Sequence, residues 1–230
     1  RETMSEAKGV RPHFAEYDIA VIGGGLLGAA IAWGLARERQ RVVVLDEGDV
    51  AFRASRGNFA LVWVQSKGMG MAAYTRWSLR SSEAWTGFAH TLAEETGIDP
   101  CYQRPGGFHL TLGEREWEHR KQTMARLLSQ PGAPEIECEM LDHDQLARVL
   151  PGIGPEVSGA SYTKVDGHCN SLKLLRPLHT GMQRLGVSYR SEHLVERIEH
   201  AGREFRVVTQ GGEIRAGKVV LTAGNGNARL

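Results

Sequence analysis

The residues of this chain best suited to chemistry are three glycines and an acid. Gly23, Gly25 and Gly28 form a G-x-G-x-x-G pattern, and Asp46 follows eighteen residues after the last of them. Glycines at these offsets allow a tight turn, let backbone approach a pyrophosphate and let a helix pack closely on a strand. N–H groups at the start of such a helix favour phosphate charge. A carboxylate at Asp46 can accept hydrogen bonds from both ribose hydroxyls and would repel a 2′-phosphate. Elsewhere the candidates are sparser. Gln65 and Lys67 lie in WVQSKG (Trp63 to Gly68), and His168 lies in VDGHCNS (Val165 to Ser171). A solvated loop is the plain alternative for the first two, and a satisfied histidine at a helix start for His168. His109 on a strand's polar face is a similarly weak candidate. No Ser/His/Asp set and no cluster with metal-ligand spacing offers a competing mechanism.

Secondary structure places the glycines where this chemistry needs them. Ile19 to Ile22 is an apolar run entering the glycines, an amphipathic segment follows, and Val42 to Leu45 is a second β-branched run ending at Asp46. The pattern predicts strand, turn, helix and strand, with Leu27, Ile31 and Leu35 of the helix packing on the sheet. An ordinary crossover with a glycine-rich turn leaves the three offsets unexplained. The stretch from Ala51 to Gly70 is rich in small residues, and Ser55, Arg56, Gly57 and Asn58 in it can present donors to a phosphate or ring edge. Ligands of doubly wound sheets lie beyond the carboxyl ends of the strands, so this loop is expected to face a cofactor.

Further along, Tyr74 to Thr96 reads as a long helix with Trp77, Ala84, Trp85, Phe88 and Leu92 on its inner face, ending at Gly97. FHLTL from Phe108 alternates, predicting Phe108, Leu110 and Leu112 on a buried face and His109 and Thr111 opposite. A helix near Glu114 to Ser129 turns Trp117, Met124, Leu127 and Leu128 inward, and Asp142 with Gln145 has capping-box spacing before a short helix. Val157 to Lys164 is a strand. A helix running to Leu185 has Leu172, Leu175, Met182 and Leu185 inward, and Pro177 either kinks it or marks a later start. Short β runs follow at Val187 to Tyr189, Leu194 to His200, Glu204 to Thr209, Glu213 to Ala216 and Lys218 to Thr222, with a hairpin turn at Gly211 and Gly212.

Composition sets outer limits. The chain of 230 residues can hold one large or two modest domains, and its net charge of +1, with no basic stripe, does not suggest nucleic acid. Three cysteines, with no C-x-x-C pair, suggest a reducing compartment and a cytoplasmic location. No apolar run approaches the ~20 residues of a membrane span. Residues 1–14 are polar, lack the apolar core of a signal peptide and are expected to be loose.

Four stretches taken together are more specific than any one. They are DIAVIGGGLLGAAIAWGLA with Asp46, ASRGNFALV (Ala54 to Val62), VDGHCNSLKLL (Val165 to Leu175) and VVLTAGN (Val219 to Asn225). In this order they resemble the D-amino-acid-oxidase-like family of FAD-dependent oxidoreductases, which includes glycine and sarcosine oxidases and the flavin subunits of opine and hydroxyproline dehydrogenases. The resemblance runs from about Ala15 onward. It implies an α/β fold, in which a Rossmann-like FAD-binding domain (15–96 and 165–230) carries an inserted α+β substrate domain (97–164) built on an antiparallel sheet.

The resemblance further implies FAD as cofactor and no metal. Gly23, Gly25 and Gly28, with the adjoining Leu26 and Leu27, would hold the pyrophosphate, and Asp46 the ribose, with Glu47 beside it. The family usually has Glu where Asp46 stands. Ala54, Ser55, Arg56, Asn58, Phe59 and Ala60 would line pyrophosphate and flavin, Val195 would contact adenine through its backbone, and Ala223 and Gly224 would pass close to the dinucleotide. The implied reaction is oxidation of a C–N bond in a carboxylate-bearing amine, with oxygen, a quinone or a partner subunit as electron acceptor. A secondary amine such as an N-substituted glycine, an iminodiacetate-like compound, an opine or a proline-like ring fits best. A flavin monooxygenase of the same fold and a non-catalytic flavin subunit of a larger complex are the alternatives. Family members are longer, with further substrate-sheet strands and a last flavin contact after VVLTAGN, so this chain is expected to match their N-terminal part and to lack a complete active site.

Overall fold

The computed structural model describes residues 16–48 and 54–230. The expectation for residues 1–14 lies outside them. The chain divides into two compact units, one of residues 1–55 and 178–230, the other of residues 56–177.

The elements run as follows. β1 (Tyr17–Ile22), α1 (Leu26–Arg37) and β2 (Val42–Leu45) open the first unit. β3 (Leu61–Val62), α2 (Ala72–Thr96), β4 (Gly107–Leu112) and α3 (Gly113–Ser129) follow in the second. It continues with β5 (Glu139–Asp142), α4 (His143–Val149), β6 (Val157–Thr163) and β7 (Gly167–His168). α5 (Ser171–Arg184) contains the boundary between Pro177 and Leu178. β8 (Ser188–Arg190), β9 (Val195–Ala201), β10 (Glu204–Thr209), β11 (Gly212–Leu221) and a closing 3₁₀ turn (Gly224–Arg229) complete the first unit.

The first unit is a six-stranded sheet in the order β8-β2-β1-β11-β10-β9. β8, β2, β1 and β11 run parallel, whereas β11, β10 and β9 form an antiparallel meander. β1 and β2 each hold four buried residues in succession, because the sheet is covered on both faces there, so they read as continuous rather than alternating. Sequence reading predicts separate strands at Glu213–Ala216 and Lys218–Thr222; instead β11 is one ten-residue strand. Its first half pairs with β10 and its second with β1, meeting at Ala216, which faces both Phe205 and Tyr17. Gly217 does not interrupt it. A Cβ there would lie 3.2 Å from the Asp18 carbonyl oxygen, so the glycine accommodates the approach of β1.

Several predicted faces are rotated. In α1 the residues against the sheet are Gly28, Ala29, Ala32 and Trp33, while Leu27 is 63% exposed. The glycine turn draws the start of α1 close to the strands, and only the small side chains of Gly28, Ala29 and Ala32 fit there, with Trp33 buried further along. In α5 the buried positions are Ser171, Leu174, Pro177, Leu178, Gly181 and Met182, the last as expected, whereas Leu172 is exposed, as is Leu185 just beyond the helix. α5 starts at Ser171 and runs through Pro177, and Asn170 caps it by accepting from the Lys173 N–H (2.9 Å).

The second unit holds a three-stranded antiparallel sheet, β4-β6-β5, and the two-stranded pair β3-β7. VDGHCNS therefore contains a strand and not only a turn: β7 pairs with β3 through His168 opposite Leu61. The face of β4 expected to be buried is the more open one, since Leu110 and Leu112 are exposed and Thr111 is buried. The cause is α3, which packs over the face carrying Gly159: a Cβ there would fall 2.9 Å from the Trp117 ring. In α2 the buried residues are Thr75, Ser82, Ala89, Leu92 and Thr96, whereas Trp77 is 70% exposed. α2 ends at Gly97 in the left-handed conformation (φ 73°), as its sequence predicts.

The Asp142 capping box is complete. Its carboxylate accepts from the Gln145 N–H (2.9 Å), and the Gln145 side chain accepts from the Asp142 N–H (3.0 Å). Asp142→Ala removes the carboxylate that holds the Gln145 N–H, so it is expected to destabilise the protein by about 1 kcal/mol in urea unfolding; an unchanged midpoint would contradict this role.

Candidate functional site

The glycine turn between β1 and α1 owes its shape to backbone crowding. Gly23 has φ 105°, a conformation that L side chains avoid, and a Cβ on it would sit 2.7 Å from the Thr222 carbonyl oxygen. A Cβ on Gly28 would overlap the Gly23 carbonyl oxygen, and one on Gly25 would lie 2.6 Å from Ser55 Oγ. The three glycines are thus each required by a different neighbour. Thr222, directly after β11, donates its hydroxyl to the carbonyls of Ile22 (2.8 Å) and Gly23 (3.0 Å), tying the turn to the central strand.

Asp46 closes the turn from β2. Its Oδ2 accepts from the Gly24 N–H at 2.7 Å and its Oδ1 from the Gly48 N–H at 2.9 Å. Each oxygen keeps acceptor capacity for a further donor. The Asp46 carbonyl accepts from the His193 N–H (2.8 Å), which brings the segment leading into β9 past the end of β2. Ser55 Oγ accepts from the Leu26 N–H at 2.9 Å, leaving its own proton available for donation.

Of the residues expected at a cofactor, the structure gathers Gly23, Gly25, Leu26, Gly28, Asp46, Ser55 and Ala223 around this turn. Leu27 is at the exposed start of α1, and Glu47 lies 3.8 Å from Arg229. Val195 packs its side chain into the sheet core and pairs with Thr209. Ala223 donates its N–H to the Asn227 side chain (2.8 Å), and Gly224 follows with φ 56°.

The remaining candidates belong to the second unit, apart from Ala54, which is exposed in the first. Arg56 and Asn58 are exposed, as is Phe59 at 91%, and the Asn58 side chain accepts from the Ala60 N–H (2.6 Å). The Ala60 carbonyl in turn accepts from the Cys169 N–H (3.0 Å). Lys67 is half-buried and borders a cavity of about 280 Å³ whose walls include Trp63, Tyr74, Trp77 and Trp85. His168 sits on β7, where its backbone exchanges two hydrogen bonds with Gln103 (2.8 and 2.9 Å), and not at a helix start.

Gln65 lies in the interior at 1% exposure, with its amide fully engaged. Its Nε2 donates to Asp166 Oδ2 (2.8 Å) and the Gly107 carbonyl (2.9 Å), and its Oε1 accepts from Arg120 Nη2 (2.8 Å) and the Ser161 hydroxyl (2.6 Å). Asp166, wholly buried, also accepts from the Val64 N–H (2.5 Å). A buried carboxylate and a guanidinium 6% exposed are therefore linked through one amide. Burial pushes Arg120 below the ordinary guanidinium value, while Cys138 and Asp166 raise it. Sequence reading missed Arg120 and Asp166. Arg120 sits between Trp117 and Met124 on the inward stripe of α3, and a charge in that position was the available signal.

His109 shares a cavity of about 890 Å³ with Thr111, Arg115, His119 and Arg120. Loss of water around the ring, then the Arg120 charge, push its imidazole below its ordinary value, partly opposed by Glu116.

These features define a Rossmann-like dinucleotide-binding α/β fold, and comparison with known proteins gives its family. The family described as FAD dependent oxidoreductase (DAO) matches residues 18–230, and the chain belongs to it. It is 44% identical over 216 residues to an opine oxidase subunit of Agrobacterium tumefaciens (strain Ach5), covering 94% of this chain and 58% of that protein. Its identity to the corresponding opine oxidase subunit of Rhizobium meliloti is 40% over 215 residues, with the same coverage. Among solved structures, glycine oxidase from Geobacillus kaustophilus superposes with a TM-score of 0.84 at 26% identity, over 93% of this chain and 57% of that one. The chain thus spans somewhat more than half the length of these relatives.

Two outcomes test the second unit. Arg120→Met leaves Asp166 buried without its countercharge and should cost about 3 kcal/mol in urea unfolding, with Arg120→Met/Asp166→Asn recovering part of it; equal stability of the single variant and the parent would refute the coupling. In an NMR titration the His109 ring is expected to protonate below 6.5, its ordinary value. Because its folded pKa is depressed, the associated stability is present above the ordinary value and is lost as pH falls through the folded one. A midpoint at or above the ordinary value would exclude the Arg120 effect.

Proposed function

We propose that this chain supplies the FAD-binding part, and the start of the substrate-binding part, of an enzyme that oxidises the C–N bond of a carboxylate-bearing secondary amine, an opine in the first instance. The observation that carries the reading is the turn at Gly23 to Gly28, whose Cβ positions are closed by backbone and by Ser55 while Asp46 fixes its Gly24 amide. Gly25 and the N-terminal amides of α1 would meet the pyrophosphate, with Ser55 donating its hydroxyl, and Asp46 would accept from the ribose. Val195, Ala223 and Gly224 would border the adenine and the dinucleotide chain. The relatives named as opine oxidase subunits support the substrate class.

Bound FAD supplies the acceptor for a hydride leaving the carbon beside the substrate nitrogen, and water then hydrolyses the resulting imine. In this reading Gln65 is a framework residue that holds the Val64–Ser66 segment, and Lys67 is the side chain of that segment open to a ligand. His168 is placed by β7 rather than by a substrate. The designation of those relatives as subunits favours electron delivery within an assembly, with a partner subunit or a quinone as acceptor beside oxygen.

The test is a titration with FAD followed by anaerobic addition of an opine, iminodiacetate, sarcosine, glycine or proline. The reading expects uptake of FAD and loss of the oxidised flavin band with the opine, without NADPH. Bleaching by NADPH alone would favour the monooxygenase alternative, and FAD uptake without bleaching by any amine would favour a non-catalytic flavin subunit.

A further inference from the structure

Gly24 and Gly25 are joined by a peptide unit that can flip readily, because neither residue has a Cβ to restrict rotation. Its orientation decides what a bound anion meets. In a trans peptide the Gly24 carbonyl and the Gly25 N–H point in opposite directions, and no cis bond occurs among the described residues. Turned one way, the unit offers an N–H to a phosphate; turned the other, it offers a carbonyl oxygen that a phosphate repels.

The Gly24 carbonyl is held by His179. The imidazole Nε2 donates to it at 2.7 Å from the middle of α5. The His179 ring stands edge-on to Tyr189, with centroids 4.8 Å apart and planes at 80°. Tyr189 in turn closes the side of Gly24, where a Cβ would lie 2.8 Å from its ring. On the other flank Asp46 holds the Gly24 N–H. The Gly25 N–H has no acceptor among the described residues, and the adjoining Leu26 N–H meets Ser55 Oγ.

We propose that His179 is a positioning residue for the anion-binding turn. It locks the Gly24–Gly25 peptide with its carbonyl turned away and the Gly25 N–H presented to the pyrophosphate of a dinucleotide. The role calls for a donor at Nε2, so the ring carries its proton there. This rests on the FAD reading above, but it concerns a side chain that need not touch the cofactor.

The experiment titrates the full chain with FAD and with ADP, which share the pyrophosphate, and compares His179→Leu, His179→Phe and His179→Gln. Thermal melting of the FAD-free proteins runs alongside. His179→Leu removes the donor and is expected to weaken both ligands about tenfold. His179→Gln restores an N–H donor and is expected to recover most of that loss, a rescue that a packing role would not give. If His179→Leu does not fold, His179→Phe, which keeps a ring against Tyr189, takes its place. FAD and ADP affinities within about twofold of the parent in the folded donor-less variant would overturn the inference and leave the FAD reading intact. A parent chain that takes up neither ligand would overturn both.

Discussion

The first unit depends on how closely two backbones approach where α1 leaves β1. Gly28 sits where any side chain would overlap the carbonyl of Gly23, and Gly23 sits where any side chain would meet the carbonyl of Thr222. Other features follow from this contact. Small residues line the buried side of α1 at its start, Thr222 spans two carbonyls, and Asp46 reaches the Gly24 amide from the end of β2. Local conformation and tertiary contact are inseparable at this point: the glycines that let the chain take this turn also permit the packing that stabilises it.

Much of this was legible in the sequence, and the reasons differ from residue to residue. Gly23, Gly25, Gly28 and Asp46 were readable because a covalent offset dictates a spatial role. The Asp142–Gln145 box was readable because capping is local. The faces of α1, α2, α5 and β4 were readable only in part: Leu92 and Met182 are buried as expected and Phe108 packs on the core, but Leu27, Trp77, Leu110 and Leu172 are exposed, because periodicity locates apolar side chains without saying which side a neighbour covers. The stripe read on α2 is buried at Leu92 and half-buried at Trp85 and Phe88, but its first member Trp77 is left outside while Thr75 and Ser82 face inward. β7 escaped notice because two residues are too few to alternate. His179 lies between Leu175 and Met182, two positions expected inward on α5, and was not singled out, because its partner is a main-chain oxygen 155 positions away.

The second unit solves a different problem. Its interior holds an acid and a guanidinium, and neither is paired with the other directly; Gln65 stands between them and satisfies both. Such an arrangement contributes less through attraction than through exclusivity, since any displacement strands a charge in a medium that cannot solvate it. Segments 64–66, 107, 120, 161 and 166, distant in sequence, are thereby held to one mutual geometry.

The unbroken course of β11 has a mechanical meaning. Its first half is set by a hairpin with β10 and its second half ends at Leu221, directly before Thr222, whose hydroxyl reaches the turn. Successive residues of a strand face opposite sides, so a one-residue slip anywhere between Ala216 and Thr222 would carry that hydroxyl to the far face of the sheet. The meander is therefore a ruler: the alignment of Thr209 with Gly212 at one end is transmitted by the pleat to the glycines at the other.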